Sequence, residues 1–497
     1  MGSQTFYRIL ARICGAVALS LVLPPLVGAC YGDSQWPYYL GAAVAASAMG
    51  AVLWLVASSR PESGPRISLR ESFLAVVVSW LMIIALGALP FYFSGAIPSL
   101  SDAVFESASG YTTTGATILT DIEALPKAHL FQRSLAHWVG GMGILVLMVA
   151  LLPELAVGGL QIFAAESSAS DADKIAPRVN SVAQRLWTLY AGMTAVCAVL
   201  LMCFGMDVFD AVTHAFGTLA TGGFSTRNQS IGAYDSLGIE LVILVFMLAA
   251  GASFPLQYRM YVRREFSPAR RSEELKLYGL VFVLFTGAIT GTLVASSDYT
   301  SYGEALRYGS FQTAAILTTT GYGTADYDAW PDLCRYLLVL LMFLGGCAGS
   351  TAGGVKVIRL LVVLKHGAVE LKKLLYPQIL QPVVVNGASV AQSTIQAILG
   401  FFLLYITTIA VATTLVLATG VDLVTGVSAV IASMNSIGPG LGLVGPASNY
   451  AALPDLCKWV LAVCMVVGRL EIYTVFVLIT ALFWAPVWDG VNFRRKK

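Results

Sequence analysis

Four short segments of this 497-residue sequence repeat one chemistry, hydroxyl side chains followed by glycine. They are Ser107-Ala-Ser-Gly-Tyr-Thr-Thr-Thr-Gly115-Ala-Thr, Ala215-Phe-Gly-Thr-Leu-Ala-Thr-Gly222-Gly-Phe-Ser-Thr, Thr313-Ala-Ala-Ile-Leu-Thr-Thr-Thr-Gly321-Tyr-Gly-Thr and Ile431-Ala-Ser-Met-Asn-Ser-Ile-Gly438-Pro-Gly. Aligned on Gly115, Gly222, Gly321 and Gly438, their glycines fall 107, 99 and 117 residues apart. Glycine can take positive φ and turn a carbonyl inward, and Thr or Ser hydroxyls add oxygen ligands or tie a loop down. Four such loops around one axis present rings of oxygens able to replace a cation's hydration shell. Oxygen ligands without fixed carboxylates suit a monovalent ion better than a hard divalent one, which recruits Asp or Glu. A single Thr-Gly in an apolar run is ordinary helix packing; four in register, each between two spans, point to a pore.

Two further groups fall on the same axis. The apolar run 334–362 is interrupted by Gly345-Gly-Cys-Ala-Gly-Ser-Thr-Ala-Gly-Gly354, which holds Gly345, Gly346, Gly349, Ser350, Thr351, Gly353 and Gly354. It is not a phosphate-binding loop, because Val355 stands where the lysine of GxxxxGK[ST] belongs. So many glycines argue for unwound chain rather than a closely packed helix, and unwound chain at membrane depth needs a wet neighbour. Arg469 lies about 21 Å down the last helix from Asp455 at 1.5 Å per residue. An intramembrane charge costs about 2.5–3.5 kcal/mol on insertion scales and marks a pathway. Glu471, two residues on, faces another side of a continuous helix, so Arg469 is expected to face the pore; the alternative is a salt bridge to a carboxylate on the cytoplasmic side.

Nothing in the remaining chemistry suggests an enzyme. The histidines 129, 137, 214 and 366 form no HExxH or other ligand spacing, and the eight cysteines contain no CxxC pair. No nucleophile–base pair and no nucleotide motif is present.

The elements that must position these residues are membrane spans. The sequence is 57% hydrophobic and 12% charged, whereas soluble domains run near 45–50% apolar and about 25% charged. Apolar runs of spanning length lie near 13–30, 37–58, 72–94, 129–152, 184–204, 238–256, 277–295, 334–362, 394–419 and 456–485. Shorter apolar pieces near 102–118, 208–224, 304–323 and 423–440 are too short or too broken to cross. The N-terminal run ending Val27-Gly28-Ala29-Cys30 resembles a cleaved or lipidated signal, but another span follows almost at once, and residues 13–30 are expected to stay as a helix. With both termini cytoplasmic, the inner segments carry 23 Lys/Arg against 6 on the outer side, as the positive-inside rule requires. Arg60, Arg66, Arg70, the 257–276 and 356–373 segments and the Arg494–Lys497 tail supply that inner charge.

The expected fold is an all-α polytopic membrane protein of four tandem span–pore-helix–filter-loop–span repeats around a pseudo-four-fold pore, plus two extra N-terminal helices. Its units are an N-terminal pair of helices (1–69) and pore repeats at 70–182, 183–272, 273–385 and 386–497. Each re-entrant helix points its partially negative C-terminal end toward the pore, which favours cations.

The segments Thr112-Thr-Thr-Gly-Ala-Thr, Ala220-Thr-Gly-Gly-Phe-Ser-Thr, Thr318-Thr-Thr-Gly-Tyr-Gly-Thr and Asn435-Ser-Ile-Gly-Pro-Gly resemble the four filter loops of the TrkH/KtrB/HKT superfamily of potassium transporters. The resemblance covers residues 70–487, and the two leading helices resemble the TrkH subfamily rather than KtrB. It implies potassium uptake through a gated, channel-like pore, with potassium as the transported ligand and no nucleotide bound by this chain. Potassium would be coordinated at Thr113/Thr114, Ala220/Thr221, Thr319/Thr320 and Ser436/Ile437, each followed by a filter glycine. Gly115 stands where sodium-selective plant relatives carry Ser. The resemblance makes 345–354 the intramembrane gating loop and Arg469 the pore arginine.

The same resemblance implies a bacterial inner-membrane homodimer in contact with lipid and bound to a cytoplasmic nucleotide-sensing RCK subunit such as TrkA, which binds NAD or ATP. The basic segments 257–276 and 356–373 and the tail are docking candidates, or ordinary positive-inside charge. No nucleic-acid partner is expected. The alternative activity is potassium symport coupled to protons or sodium, for which Arg469 and Glu471, the mid-span charges, offer little support.

Overall fold

A computed structural model describes residues 3–60, 68–155, 175–299, 301–379 and 381–484. Two N-terminal helices, Gln4–Cys30 and Trp36–Ser58, pack along each other and against the helix Leu69–Phe93. Their outer faces carry exposed apolar residues such as Leu19 and Leu55, the surface a lipid-facing helix must offer. The helix expected over 13–30 is present, and it begins earlier, where Ser3 caps Phe6.

Four units follow, each with one plan. Leu69–Phe93, Ile175–Cys203, Glu273–Ala295 and Gln392–Leu417 run in. The short helices Leu100–Tyr111, Val208–Leu219, Tyr302–Leu317 and Leu423–Met434 then dip inward. At 12 to 16 residues they reach about 18–24 Å, short of the roughly 30 Å hydrocarbon thickness. Side-chain caps start three of them: Ser99 accepts from Asp102 N, Ser301 from Gly303 N and Asp422 from Thr425 N. Their inner ends are buried, so they sit between the spans rather than against lipid.

Each unit returns by a second helix, and three of these returns are broken. Lys127–Leu155 is continuous. Asp332–Leu344 stops at Gly345, and the chain resumes as Val357–Leu375, as the glycine run predicts. The other two breaks correct the continuous spans expected at 238–256 and 456–485. Leu237–Gly251 and Phe254–Tyr261 meet at 108°, and Asp455–Arg469 and Ile472–Ile479 at 113°. In the first, Pro255 at the start of the new helix cannot donate to the preceding turn. In the second, Glu471 leaves the helix at φ 61 and its carboxylate pairs with Arg359.

Among the described residues one small element is not helical. Residues Val384–Val385 pair with Ala388–Ser389 across an Asn386-Gly387 turn. Asn386 and Glu273 exchange two hydrogen bonds of 2.8 and 3.0 Å, and Lys365 pairs with Glu273. Arg66 and the Arg494–Lys497 tail lie outside the described residues.

Candidate functional site

The ends of the four short helices bring the Thr-Gly loops into one ring. Gly115 faces the carbonyl of Gly222, Gly223 that of Thr320, Gly321 that of Ile437, and Gly438 that of Thr114, closing the circuit. A Cβ at any of the four would strike that carbonyl. All four glycines take positive φ, at 80, 82, 74 and 96°. Two residues earlier, Thr113, Thr221, Thr319 and Ser436 stand in the left-handed region at 53–57°. Between them, the amides of Thr114, Gly222, Thr320 and Ile437 each donate five residues back, to Ser109, Gly217, Ala315 and Ala432, at 2.8–2.9 Å.

This regular geometry moves the second loop by one residue. Aligning on Gly222 sets Ala220/Thr221 beside Thr113/Thr114, but the structure sets Thr221/Gly222 there and Gly223 beside Gly115. Ala220 falls instead at the place of Thr112. The sequence offers a Gly-Gly doublet, and only the backbone shows which member carries the positive φ. The cavity outside the ring, about 160 Å³, is lined by Gly115, Gly223, Gly321 and Gly438.

Among the described residues the carbonyls of Thr113, Thr114, Thr221, Gly222, Thr319, Thr320, Ser436 and Ile437 accept no backbone hydrogen bond. Buried carbonyls need a partner, and unpaired oxygens from four loops can supply one to a dehydrated cation. In loops one and three the hydroxyls tie the loop to itself: Thr112 bonds Thr114, and Thr318 bonds Thr320, each at 2.8 Å. Loop four is tied from outside, with Tyr405 donating to Asn435 Oδ1 at 2.7 Å and Tyr450 to the Gly438 carbonyl at 2.6 Å.

Directly under the ring lies the glycine-rich loop. The Gly353 amide donates to Thr319 Oγ1 at 2.7 Å, and a Cβ on Gly353 would strike the Asn435 carbonyl. Thr351 Oγ1 donates to Leu219 O at 3.0 Å and reaches Ala250 O at 3.3 Å. Cys347 N donates to Gly251 O and Ala348 N to Glu274 Oε1, at 2.8 and 2.6 Å. Gly345, Gly349, Gly354 and, unusually for a side-chain-bearing residue, Lys356 hold positive φ here. Gly346 and Ser350 complete it, the Ser350 hydroxyl donating to Cys347 O at 2.6 Å. Arg469 is buried and donates to Thr351 O at 2.8 Å and Gly140 O at 3.1 Å. Its partners are two carbonyls, so the salt-bridge alternative does not hold.

Several supporting residues escaped sequence reasoning. Arg133 is fully buried, binding Glu106 at 2.8 Å and the Ser225 carbonyl at 3.0 Å. His137 Nδ1 lies 2.7 Å from Gly110 O, and the Phe224 amide donates to its Nε2 at 3.1 Å. His129, Arg133 and His137 recur every fourth residue on one helix, and that polar stripe in an apolar run was the available signal. In the second unit Asp210 accepts from Arg227, Thr226 and Tyr234. Outside the spans, the Asn228 amide holds the Asp121 carboxyl below its usual range.

The family model for TrkH, described as a cation transport protein, matches residues 39–484. The chain belongs to the TrkH family. It is 39% identical over 487 residues to the Trk system potassium uptake protein TrkH of Escherichia coli (strain K12), covering 96% of this chain and 99% of that one. The TrkH of Halomonas elongata is 39% identical over 491 residues, with 97% and 100% covered. The crystal structure of the potassium transporter TrkH from Vibrio parahaemolyticus superimposes with a TM-score of 0.89 at 36% identity, covering 97% of this chain and all of that one. TrkH proteins are membrane cation transporters rather than enzymes, and the four-unit plan with its two leading helices is a TrkH architecture.

Proposed function

We propose that this chain conducts potassium inward through a gated, channel-like pore. The observation that carries the reading is the closed ring in which each positive-φ glycine meets the next loop's carbonyl. Potassium would sit among the carbonyls of Thr113/Thr114, Thr221/Gly222, Thr319/Thr320 and Ser436/Ile437. The membrane potential would drive uptake at ~2.3 kcal/mol per charge per 100 mV. The uptake of potassium named for relatives in Escherichia coli and Halomonas elongata supports the choice of ion.

The gate in this reading is the loop 345–356 together with Arg469. The loop touches the ring through Gly353, and Arg469 holds it through Thr351. Opening requires these bonds to part, and a cytoplasmic subunit of the TrkA kind, sensing NAD or ATP, would shift that balance. The chain would act as a homodimer in a bacterial inner membrane with both termini cytoplasmic. The subunit would dock on the basic faces of 257–276 and 356–373.

The test is cation flux into proteoliposomes. Potassium or rubidium should enter and sodium should not; equal sodium flux sinks the potassium assignment. A reversal potential that follows the potassium gradient alone separates this pore from symport with protons or sodium.

A further inference from the structure

Loop two lacks both devices that fix the other loops. Its Ala220 and Gly222 occupy the places where Thr112/Thr114 and Thr318/Thr320 make their hydroxyl bridges. Gly222 does not take a positive φ, so no backbone requirement explains a glycine there. What fills the space is the imidazole of His137: a Cβ on Gly222 would run into its ring.

The same ring is bonded at both nitrogens to backbone of two different units. With Phe224 N donating to Nε2, the proton belongs on Nδ1, which donates to Gly110 O. The imidazole stacks on Phe224 with centroids 4.2 Å apart and is wholly buried. Among the described residues the matching amides of Ala116 and Tyr322 have no backbone partner, and the fourth position is Pro439. Loop two is thus the loop whose exit amide is held by a side chain.

We infer that His137 is a specificity-determining positioning residue, a side chain from the first unit that stands in for the missing hydroxyl bridge of the second loop and sets where the Gly222 carbonyl points. This rests on the filter reading above. A ring of carbonyls discriminates between cations by the number and placement of its oxygens. Releasing one loop leaves the pore conductive while weakening its preference.

The test is the potassium-to-sodium flux ratio of purified full-length protein in proteoliposomes, with size-exclusion profiles as the folding control. His137→Phe keeps the stacking on Phe224 but removes both hydrogen bonds. It should lower the ratio roughly tenfold, the factor that about 1.4 kcal/mol of lost orientation represents, while potassium still flows. His137→Gln, which keeps one donor and one acceptor, should retain part of the preference. The combination of His137→Ala, Ala220→Thr and Gly222→Thr installs the bridge of loops one and three in the vacated space and should restore the ratio. A folded His137→Phe protein with unchanged selectivity overturns the inference. So does a triple variant that is no more selective than His137→Phe, or that fails to fold. The filter reading itself is judged separately by Gly115→Val: if that variant conducts normally, the ring is not the filter, whatever His137 does.

Discussion

Arg469 donates to the carbonyl of Thr351 at 2.8 Å from the end of the last return helix, so a residue of the fourth unit holds the unwound loop of the third. Its second donor reaches Gly140 of the first unit at 3.1 Å. A fixed charge of the sign of the transported ion thus stands against the glycine-rich loop, joined to backbone rather than to a counter-ion.

Removing that charge should open the path. Arg469→Ala is expected to raise basal rubidium flux roughly tenfold or more, since hydrogen bonds to charged groups contribute about 1.5–3 kcal/mol each way. Arg469→Lys should fall between, because an ammonium cannot span two carbonyls as a guanidinium fork does. Unchanged or lower flux from normally expressed Arg469→Ala would show that the arginine is not a barrier.

The register of loop two is open to a direct test. Gly223→Ala should abolish flux, as is expected of Gly115→Val, because its Cβ meets the Thr320 carbonyl at φ 82°. The three atoms nearest a Cβ on Gly222 all belong to the His137 ring, so truncating His137 alongside Gly222→Ala should recover conduction. If the His137 truncation rescues Gly223→Ala instead, the register is wrong.

Glu274 offers a second handle on the proposed gate. Its carboxylate holds the Ala348 amide at 2.6 Å inside the loop, while the adjacent Glu273 binds Lys365 and the Asn386 turn outside it. Glu274→Ala should free the loop and raise basal flux in the same assay. A variant with wild-type flux and normal folding would remove Glu274 from the gating argument.

The Glu106–Arg133 pair should matter to folding first. Both side chains are buried, and breaking one half of such a pair costs about 3–5 kcal/mol by leaving a charge alone. Arg133→Met is expected to lower the thermal midpoint of the detergent-solubilised protein, and Glu106→Gln, which retains an acceptor, to lower it less. Equal midpoints for both variants and the parent would contradict this.

Much of the architecture was legible because bilayer physics writes it locally. Spanning runs, four short helices too small to cross, the glycine break at 345–354 and the odd charge at 469 are all composition at fixed positions. The breaks after Gly251 and Arg469 were harder to see. Each lies in a run long and apolar enough as a whole to read as one span, and the chain bends because Pro255 lacks a donor and Glu471 finds Arg359 from a different unit.

By itself the sequence determined a polytopic helical protein with four Thr/Ser-Gly loops, since apolar length and glycine placement are properties of consecutive residues. Only the tertiary structure decided which of Gly222 and Gly223 belongs to the ring, where the proton of His137 sits, and what Arg469 holds. Those depend on carbonyls and amides in other elements, from 27 residues away for Gly110 and His137 to 329 for Gly140 and Arg469, and a backbone group's partner is set by where the fold puts it rather than by the side chains that flank it.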